Sequence, residues 1–401
     1  MPPVKVRVFS PFALESGYSR ASSDYLECLL RAGVDLDIRP IIDGQERLLE
    51  PRYNNLLPYV NREDNNYKDW PDVVMVHAIP YGCNLLLDQE LAPPPHVKRV
   101  AISTWETSHL PYDIAKELAG MFDQVWMCSE YSASGLTYWK DLFKPKQVKV
   151  VPHAFDPEFW SGHVRCAESS DSDPYTFYTI LTWMERKNPL GLLKAYLTEF
   201  TEEDNVLLKI RTPSYNEAEI DELIRGLKLK YLPPVDMLCA YMTEEEMLNL
   251  HLTSDCYVTV ARAEGFGLGA YESALMGNPV IASKYSGLRE FLDDYALTTY
   301  VPVFETPAYT PESHIKGEIN VLGLNIKPMS RNDHIGISAD QNWSEPDLNT
   351  LKKEMRAHYK GFHEVDDSTK EEERQRLAKY FSYDVIGARV KSYLEELVGV
   401  K

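Results

Sequence analysis

The sequence predicts an α/β protein of open parallel sheets covered by helices, divided between two domains. Strand-like apolar runs alternate with helix-like ones over most of the chain. Its 401 residues exceed one ordinary core and suit two domains of roughly 150 to 200 residues each. The stretch Cys166-Ala167-Glu168-Ser169-Ser170-Asp171-Ser172-Asp173-Pro174 is small, polar and aperiodic, the texture of a linker. The expected division is a first domain at 1–165, a linker at 166–174, a second domain at 175–380 and a last helix within 381–401.

In the first domain, strands are expected at 5–9, 73–77, 99–104, 124–129 and 148–152. The helix after the first strand is signalled by Ser22-Ser23-Asp24 at its start, by Leu26, Leu29 and Leu30 at helical spacing, and by Gly33 as its stop. Before it, Glu15-Ser16-Gly17-Tyr18-Ser19-Arg20 reads as a loop with one glycine. The second domain restarts with a strand at 175–182. Asn188 as N-cap and Pro189 at the first helical position then open a helix through Phe200. A strand at 206–211, a helix at 216–228 and a strand at 235–240 follow. The capping box Thr243-x-x-Glu246 opens the next helix, which leads to a strand at 255–260. Residues 304–345, rich in Pro, Asn and Ser, read as loops with at most short strands. Helices return from Asp347, and the last, at 384–398, carries Val385, Ile386, Arg389, Val390, Tyr393, Leu394 and Leu397 along one stripe.

The strand at 255–260 runs into Glu264-Gly265-Phe266-Gly267-Leu268-Gly269-Ala270-Tyr271-Glu272, two carboxylates with seven residues between them, three of which are glycine. Glycines leave backbone N–H groups uncovered where a strand hands over to a helix. Such a helix start binds an anion such as a diphosphate through its amides and its dipole. Carboxylates beside a phosphate cradle repel the phosphate, so they need another task, and accepting hydrogen bonds from hydroxyls is the natural one. A ligand carrying both a diphosphate and several hydroxyls is a nucleotide sugar. A dinucleotide fingerprint fits less well: the third glycine comes one residue early for G-x-G-x-x-G, an acid stands directly before the first, and none stands about 20 residues on. The plain alternative is a strand-turn-helix whose glycines only permit close packing.

The residues downstream argue against that alternative. Ser273-Ala274-Leu275-Met276-Gly277-Asn278-Pro279-Val280-Ile281-Ala282-Ser283 continues as a short helix closed by Gly277 and a buried strand, and Ser286-Gly287-Leu288-Arg289-Glu290 opens another helix. From Glu264 to Glu290 the chain closely resembles the retaining glycosyltransferases of family 4, whose hallmark is Glu-x7-Glu inside an "EGFGL…E…G.PVIAS…G..E" stretch. Weaker matches, in the right order, extend the resemblance over most of the chain: Val125-Trp126-Met127-Cys128-Ser129-Glu130, Val150-Val151-Pro152-His153-Ala154-Phe155-Asp156 and Arg186-Lys187-Asn188-Pro189. The resemblance implies the GT-B fold, two Rossmann-like domains facing each other across a cleft, with the last helix crossing back to the first domain. It also implies transfer of a sugar from a nucleotide diphosphate sugar to an acceptor hydroxyl with retention of configuration, the donor being a co-substrate and no metal cofactor being required.

Site residues follow from the same resemblance. Glu264 holds hydroxyls of the donor sugar, Glu272 holds the ribose diol, and the amides of Gly265, Phe266, Gly267, Leu268 and Gly269 cradle the diphosphate. Lys187 stands where the family keeps its phosphate-binding lysine, a compact and mobile cation suited to diphosphate. The family pairs that lysine with an arginine five residues earlier in a Gly-Arg step, but here Leu181-Thr182 stand there. Either Arg186 or Arg211 supplies the second cation, or the diphosphate is held by fewer charges. The loop containing Gly17 approaches the donor phosphates from the opposite domain in the family. For the acceptor, Thr104-Trp105-Glu106-Thr107-Ser108-His109-Leu110-Pro111 follows a strand; Trp105 suits stacking on a sugar face, and Glu106 or His109 suits steering an acceptor hydroxyl. His153, where relatives often have asparagine, reads as a turn or domain-interface residue.

Composition narrows the partners. Net charge is −19, with 17 Lys/Arg against 22 Asp/Glu in residues 1–165 and 25 against 39 in 166–401, so clustered phosphate neutralisation by nucleic-acid binding is not expected. No apolar run reaches the about 18 residues of a membrane span, and Lys144, Lys146 and Lys149 suit at most a peripheral contact with an anionic surface. The N-terminus enters a strand without a signal-peptide segment, and Cys28, Cys83, Cys128, Cys166, Cys239 and Cys256 are scattered, which together suggest reduced thiols in the cytoplasm. Asp171-Ser172-Asp173 and Asp35-Leu36-Asp37 spell the D-x-D of metal-dependent glycosyltransferases, the first within the linker, and neither is expected to hold a metal. Asn342-Trp343-Ser344 is a glycosylation sequon expected to go unused. The expected acceptor is a carbohydrate or lipid-linked molecule. A transferase-like subunit that binds nucleotide sugar without turnover is the alternative, argued by the missing Gly-Arg step.

Overall fold

The computed structural model describes residues 2–13, 16–41, 49–62, 70–83, 93–161, 173–308, 319–321, 324–326 and 340–399. Two compact units form, one from Met1–Asp156, Pro307–Asn342 and Lys379–Lys401, the other from Pro157–Thr306 and Trp343–Ala378. The chain thus passes between units after Asp156, upstream of the polar stretch at 166–174, of which only Asp173 and Pro174 are among the described residues.

The first unit holds β1 (Lys5–Ser10), β2 (Asp35–Pro40), β3 (Val73–His77), β4 (Lys98–Ser103), β5 (Gln124–Met127) and β6 (Val148–Val150), all parallel in the order β2-β1-β3-β4-β5-β6. Every residue of β3 is buried, because both faces of a parallel sheet are covered. Alternate side chains feed two cores, Val73 and Met75 one of them, Val74 and Val76 the other. β2 is absent from the sequence expectation because its acids disguise it. Asp37 is fully buried, with its Oδ2 2.5 Å from Arg7 Nε and 2.9 Å from Arg39 Nη2, while Arg62 Nη1 lies 2.5 Å from Asp35 Oδ1. The D-x-D spelling there belongs to arginine pairs inside a sheet.

The first helix, Gly17–Arg31, begins ahead of Ser22. Ser16 is its N-cap, accepting from the Ser19 N–H at 3.0 Å, so Gly17 is the first helical residue and not part of a loop. Ser22, Ser23 and Asp24 look like a cap but are buried within the helix. Ser23 Oγ donates to the Ser19 carbonyl at 3.1 Å, and Asp24 Oδ1 accepts from Tyr53 at 2.8 Å, from Arg52 at 3.3 Å and from Tyr383. Tyr383 opens the last helix, Tyr383–Val398, whose Ile386, Val390 and Leu394 join the same core. Gly387 permits this packing, since a Cβ there would lie 2.8 Å from the Cys28 carbonyl oxygen. Lys146 and Lys149 both pair with Glu396 of that helix, at 3.2 and 3.1 Å, which ties down two of the three lysines noted above.

The second unit holds β7 (Tyr175–Ile180), β8 (Val206–Arg211), β9 (Val235–Leu238), β10 (Cys256–Thr259), β11 (Val280–Ser283) and β12 (Thr298–Val301), parallel in the order β12-β11-β10-β7-β8-β9. β12, a Thr-Thr-Tyr-Val strand beyond Glu290, is the element that sequence reading passes over. The helix Pro189–Glu199 starts with proline as expected, yet Asn188 does not cap it. Its backbone is left-handed at φ 54°, and its Nδ2 donates instead to the Val260 carbonyl at 3.2 Å, tying the end of β10 to this helix. The Thr243/Glu246 capping box is complete at the start of the helix Glu244–Leu252. Short strands stand at Val303–Pro307, Ile319–Val321, Leu324–Ile326 and Asn342–Pro346, the middle two paired antiparallel. Among the described residues no helix is long and apolar enough to cross a membrane.

Candidate functional site

In the second sheet β7 has β8 on one side and β10 on the other, and the winding direction reverses between β7 and β10. Loops leaving the carboxyl ends of those two strands diverge there, which makes that edge the ligand crevice of an open α/β sheet. One loop carries the turn Glu185–Lys187 and the other carries residues 260–267.

The second loop is shaped by close contacts. Gly267 has φ 98° and is the N-cap of the helix Leu268–Leu275, whose first-turn amides have no acceptor within the helix and whose first turn contains no acid. Gly287 passes so near that a Cβ on it would lie 1.9 Å from the Gly265 carbonyl oxygen. Its N–H donates to the Glu264 carbonyl at 2.9 Å, and the Glu264 N–H donates to Ser286 Oγ at 2.8 Å. Phe266 is buried between the rings of Tyr271 and Phe291, so it offers a ligand its backbone alone. At Gly269 a Cβ would lie 2.6 Å from the Tyr257 hydroxyl. That hydroxyl donates to the Ile180 carbonyl at 3.3 Å, and burial, then the charges of Glu264 and Glu272, push its ionisation upward.

Charge is concentrated on Glu264, whose side chain is only 10% exposed. Lys187 Nζ donates to both its oxygens, at 2.5 and 2.6 Å, and Arg186 Nη1 lies 3.7 Å from Oε2 while donating to the Ala263 carbonyl at 2.6 Å. The Arg262 N–H donates to the Arg186 carbonyl at 2.7 Å, so the two loops are joined through their backbones as well. Of the two arginines considered for the second cation, Arg186 is the one set beside Glu264. Arg211 is buried at the end of β8, opposite Ile180 of β7 in the sheet register. Glu272 is the fifth residue of its helix and 2% exposed, with Oε2 3.3 Å from His251 Nε2. Helix-start amides with Lys187 and Arg186 can hold a diphosphate, and the two carboxylates can accept from hydroxyls.

Residues expected on the acceptor side lie in the first unit. Trp105 is buried in the β3–β5 core and its Nε1 donates to the His109 carbonyl at 2.8 Å, so its ring is not presented as a stacking face. His109 is buried; Nδ1 meets Ser108 Oγ at 3.1 Å, Nε2 meets Asp340 Oδ2 at 3.2 Å, and the ring stacks on Tyr138 at 4.4 Å. Glu106 is half-buried in the same loop. His153 packs beside Tyr25, ring centres 5.5 Å apart, within the unit. Tyr178, His251, Tyr257 and Ser286 escape sequence reading; only Ser286, in the Ser-Gly step of the motif, leaves a local signal.

Residues 168–306 match the family model for glycosyl transferases group 1. No curated protein sequence matches the chain. Solved structures resemble it over nearly their whole length at low identity. A glycosyltransferase from Rickettsia africae is 12% identical with a TM-score of 0.65, each chain covered completely. Sucrose-phosphate synthase from Thermosynechococcus elongatus is 13% identical with a TM-score of 0.64, covering 99% of this chain and 100% of that one. Anabaena HepE, in complex with UDP and glucose, is 12% identical with a TM-score of 0.60, covering 98% and 100%. The chain has the GT-B fold, and the Lys187–Glu264 site lies within the residues that match the model for glycosyl transferases group 1.

Proposed function

We propose that the protein transfers a sugar from a nucleotide diphosphate sugar to an acceptor hydroxyl with retention at the anomeric carbon, as in family 4. The observation that carries this reading is the meeting of Lys187 and Glu264 at the carboxyl ends of β7 and β10, directly before a glycine-opened helix start. The diphosphate suits the amides of residues 265–269 with Lys187 and Arg186, the sugar hydroxyls suit Glu264, and the ribose diol suits Glu272.

In the reaction the bond from the anomeric carbon to the β-phosphate oxygen breaks, and the bond to the acceptor oxygen forms on the same face. The acceptor proton passes to a β-phosphate oxygen, and the nucleoside diphosphate departs. No protein nucleophile is needed. Charge builds on the departing diphosphate, where fixed amides and cations in a sheltered site stabilise it most.

Glu106 and His109 are the proposed acceptor-side groups, for a carbohydrate or lipid-linked acceptor. The buried thiols of Cys28, Cys83, Cys128 and Cys256 favour action in the reducing cytoplasm. The HepE complex with UDP and glucose makes UDP-glucose the first donor to try. The test is nucleoside diphosphate release from UDP-, GDP-, ADP- and TDP-sugars by pure protein, with the anomeric configuration of any product read by NMR. An inverted product ends the retention claim. Binding of a nucleotide sugar with neither transfer nor hydrolysis favours the non-catalytic subunit.

A further inference from the structure

Beneath the helix Leu268–Leu275 lies a polar cluster that the proposed chemistry does not use. His251, on the helix Glu244–Leu252, is fully buried, and its ring is pinned at both nitrogens: Nε2 stands 3.3 Å from Glu272 Oε2, and Nδ1 stands 2.9 Å from the Tyr178 hydroxyl. A carboxylate only accepts, so Nε2 is the donor of that contact. The Tyr178 hydroxyl is held in turn by Asn278 Nδ2 at 2.9 Å and by Ser273 Oγ at 3.0 Å. Asn278 Nδ2 also donates to the His251 carbonyl at 2.7 Å, and the Asn278 carbonyl accepts from the Tyr295 hydroxyl at 3.0 Å. β7, two helices and the turn before β11 therefore converge on one hydrogen-bonded cluster around His251.

Burying this many polar groups under a short helix is costly unless each is satisfied, and an apolar core would fill the space more cheaply. The arrangement does one thing such a core would not: it fixes the rotamer of Glu272. Glu272 stands on the same helix as the amides that open the site, three residues after Gly269, and its charge, with that of Glu264, raises the ionisation of the Tyr257 hydroxyl that sits against Gly269.

We infer that His251, anchored by Tyr178, is a positioning residue that presents the Glu272 carboxylate to the ribose diol of the donor nucleotide. The inference rests on the proposed donor site and adds the groups that set its recognition of ribose. A hydroxyl pair is read by a carboxylate only when both oxygens are held in plane with it, so a loosened Glu272 loses selectivity for ribose before it loses the phosphates.

Calorimetry with UDP, GDP and ADP and their 2′-deoxy counterparts tests it. The wild-type protein should prefer one ribonucleotide over its deoxy form by about 10-fold or more. His251→Leu should weaken the ribonucleotide about 10-fold and the deoxynucleotide hardly at all, removing the preference. His251→Gln, which keeps a donor toward Glu272, should restore most of it, and Tyr178→Phe should fall between. If His251→Leu does not fold, Tyr178→Phe, which removes a single hydroxyl, carries the comparison. A folded variant that keeps the full preference, or one that weakens both nucleotides equally, overturns the inference. Wild-type binding without any preference overturns it while sparing the donor site, whereas no binding of any nucleotide removes both.

Discussion

Lys187 Nζ bonds both carboxylate oxygens of Glu264 across 77 residues of sequence, joining the loop after β7 to the loop after β10. A lone carboxylate beside a phosphate cradle would repel its ligand. Lys187 and Arg186 more than offset that charge and leave the cluster net positive, as the proposed diphosphate site needs.

Lys187→Ala should therefore weaken nucleoside diphosphate binding by roughly 1.5 to 3 kcal/mol, the scale of a charge-assisted contact. The bare nucleoside should bind almost as before. Calorimetry on the two ligands checks this, and equal losses would mean that Lys187 does not touch the phosphates.

On the proposed donor assignment the two glutamates should separate kinetically. Glu272→Gln would remove a grip on a part of the donor that does not react, so donor KM and nucleotide affinity should suffer while kcat holds. Glu264→Gln would act beside the sugar ring that becomes positive in the proposed reaction, and kcat should drop roughly 10²-fold or more. Free nucleotide diphosphate affinity should not weaken, since the change also releases Lys187. The opposite pattern would exchange the sugar end and the ribose end.

Gly287→Ala tests the loop geometry. Its Cβ would lie 1.9 Å from the Gly265 carbonyl oxygen, and backbone cannot yield as a side chain can. The loop at 264–267 must move, and nucleotide binding should be lost even in protein that remains folded by circular dichroism. Retained affinity would show that the cradle is not built by this contact.

Stability should depend on pH through three buried histidines. Burial lowers His77, His153 and His358 each from 6.5 to about 3, with the charge of His153 adding to the effect on His77 and that of His363 to the effect on His358. Between those values the unfolded chain binds more protons than the folded one, so stability present above 6.5 is lost as pH falls toward 3. Each histidine should remove roughly 2 kcal/mol between pH 7.5 and pH 5. Asp24, whose carboxyl is raised by burial, works in the opposite direction nearer its ordinary 3.8. Urea unfolding at the two pH values should show the loss, and His77→Gln or His358→Gln should flatten the slope for the unit that carries it; an unchanged slope would refute the assignment.

Turnover should survive EDTA, because the proposed site would hold phosphate with amides, Lys187 and Arg186. Complete loss on chelation, restored by Mn²⁺ or Mg²⁺, would defeat this expectation.

What the sequence by itself determined is what a few neighbouring residues can express. Alternating strand and helix periodicities, the Thr243/Glu246 box, Pro189 at a helix start, the stripe of the last helix and the glycines between Glu264 and Glu272 act within one or two turns of chain, so they are legible locally. The same locality misled where burial overrode it. Ser22-Ser23-Asp24 has the composition of a cap, but Ser23 and Asp24 are hydrogen-bonded inside the unit to Ser19, Tyr53, Arg52 and Tyr383, and the helix starts at Gly17 instead. Asp35 and Asp37 hid β2 because two of their arginine partners, Arg7 and Arg62, come from outside the strand. Only the tertiary structure decided that Arg186 stands beside Glu264, that Lys187 is bound to it, and that His251 and Tyr178 support Glu272. Those contacts depend on β7 and β10 being neighbours, and strand order is set by how whole layers bury their apolar faces, a property of the folded unit that no short segment carries.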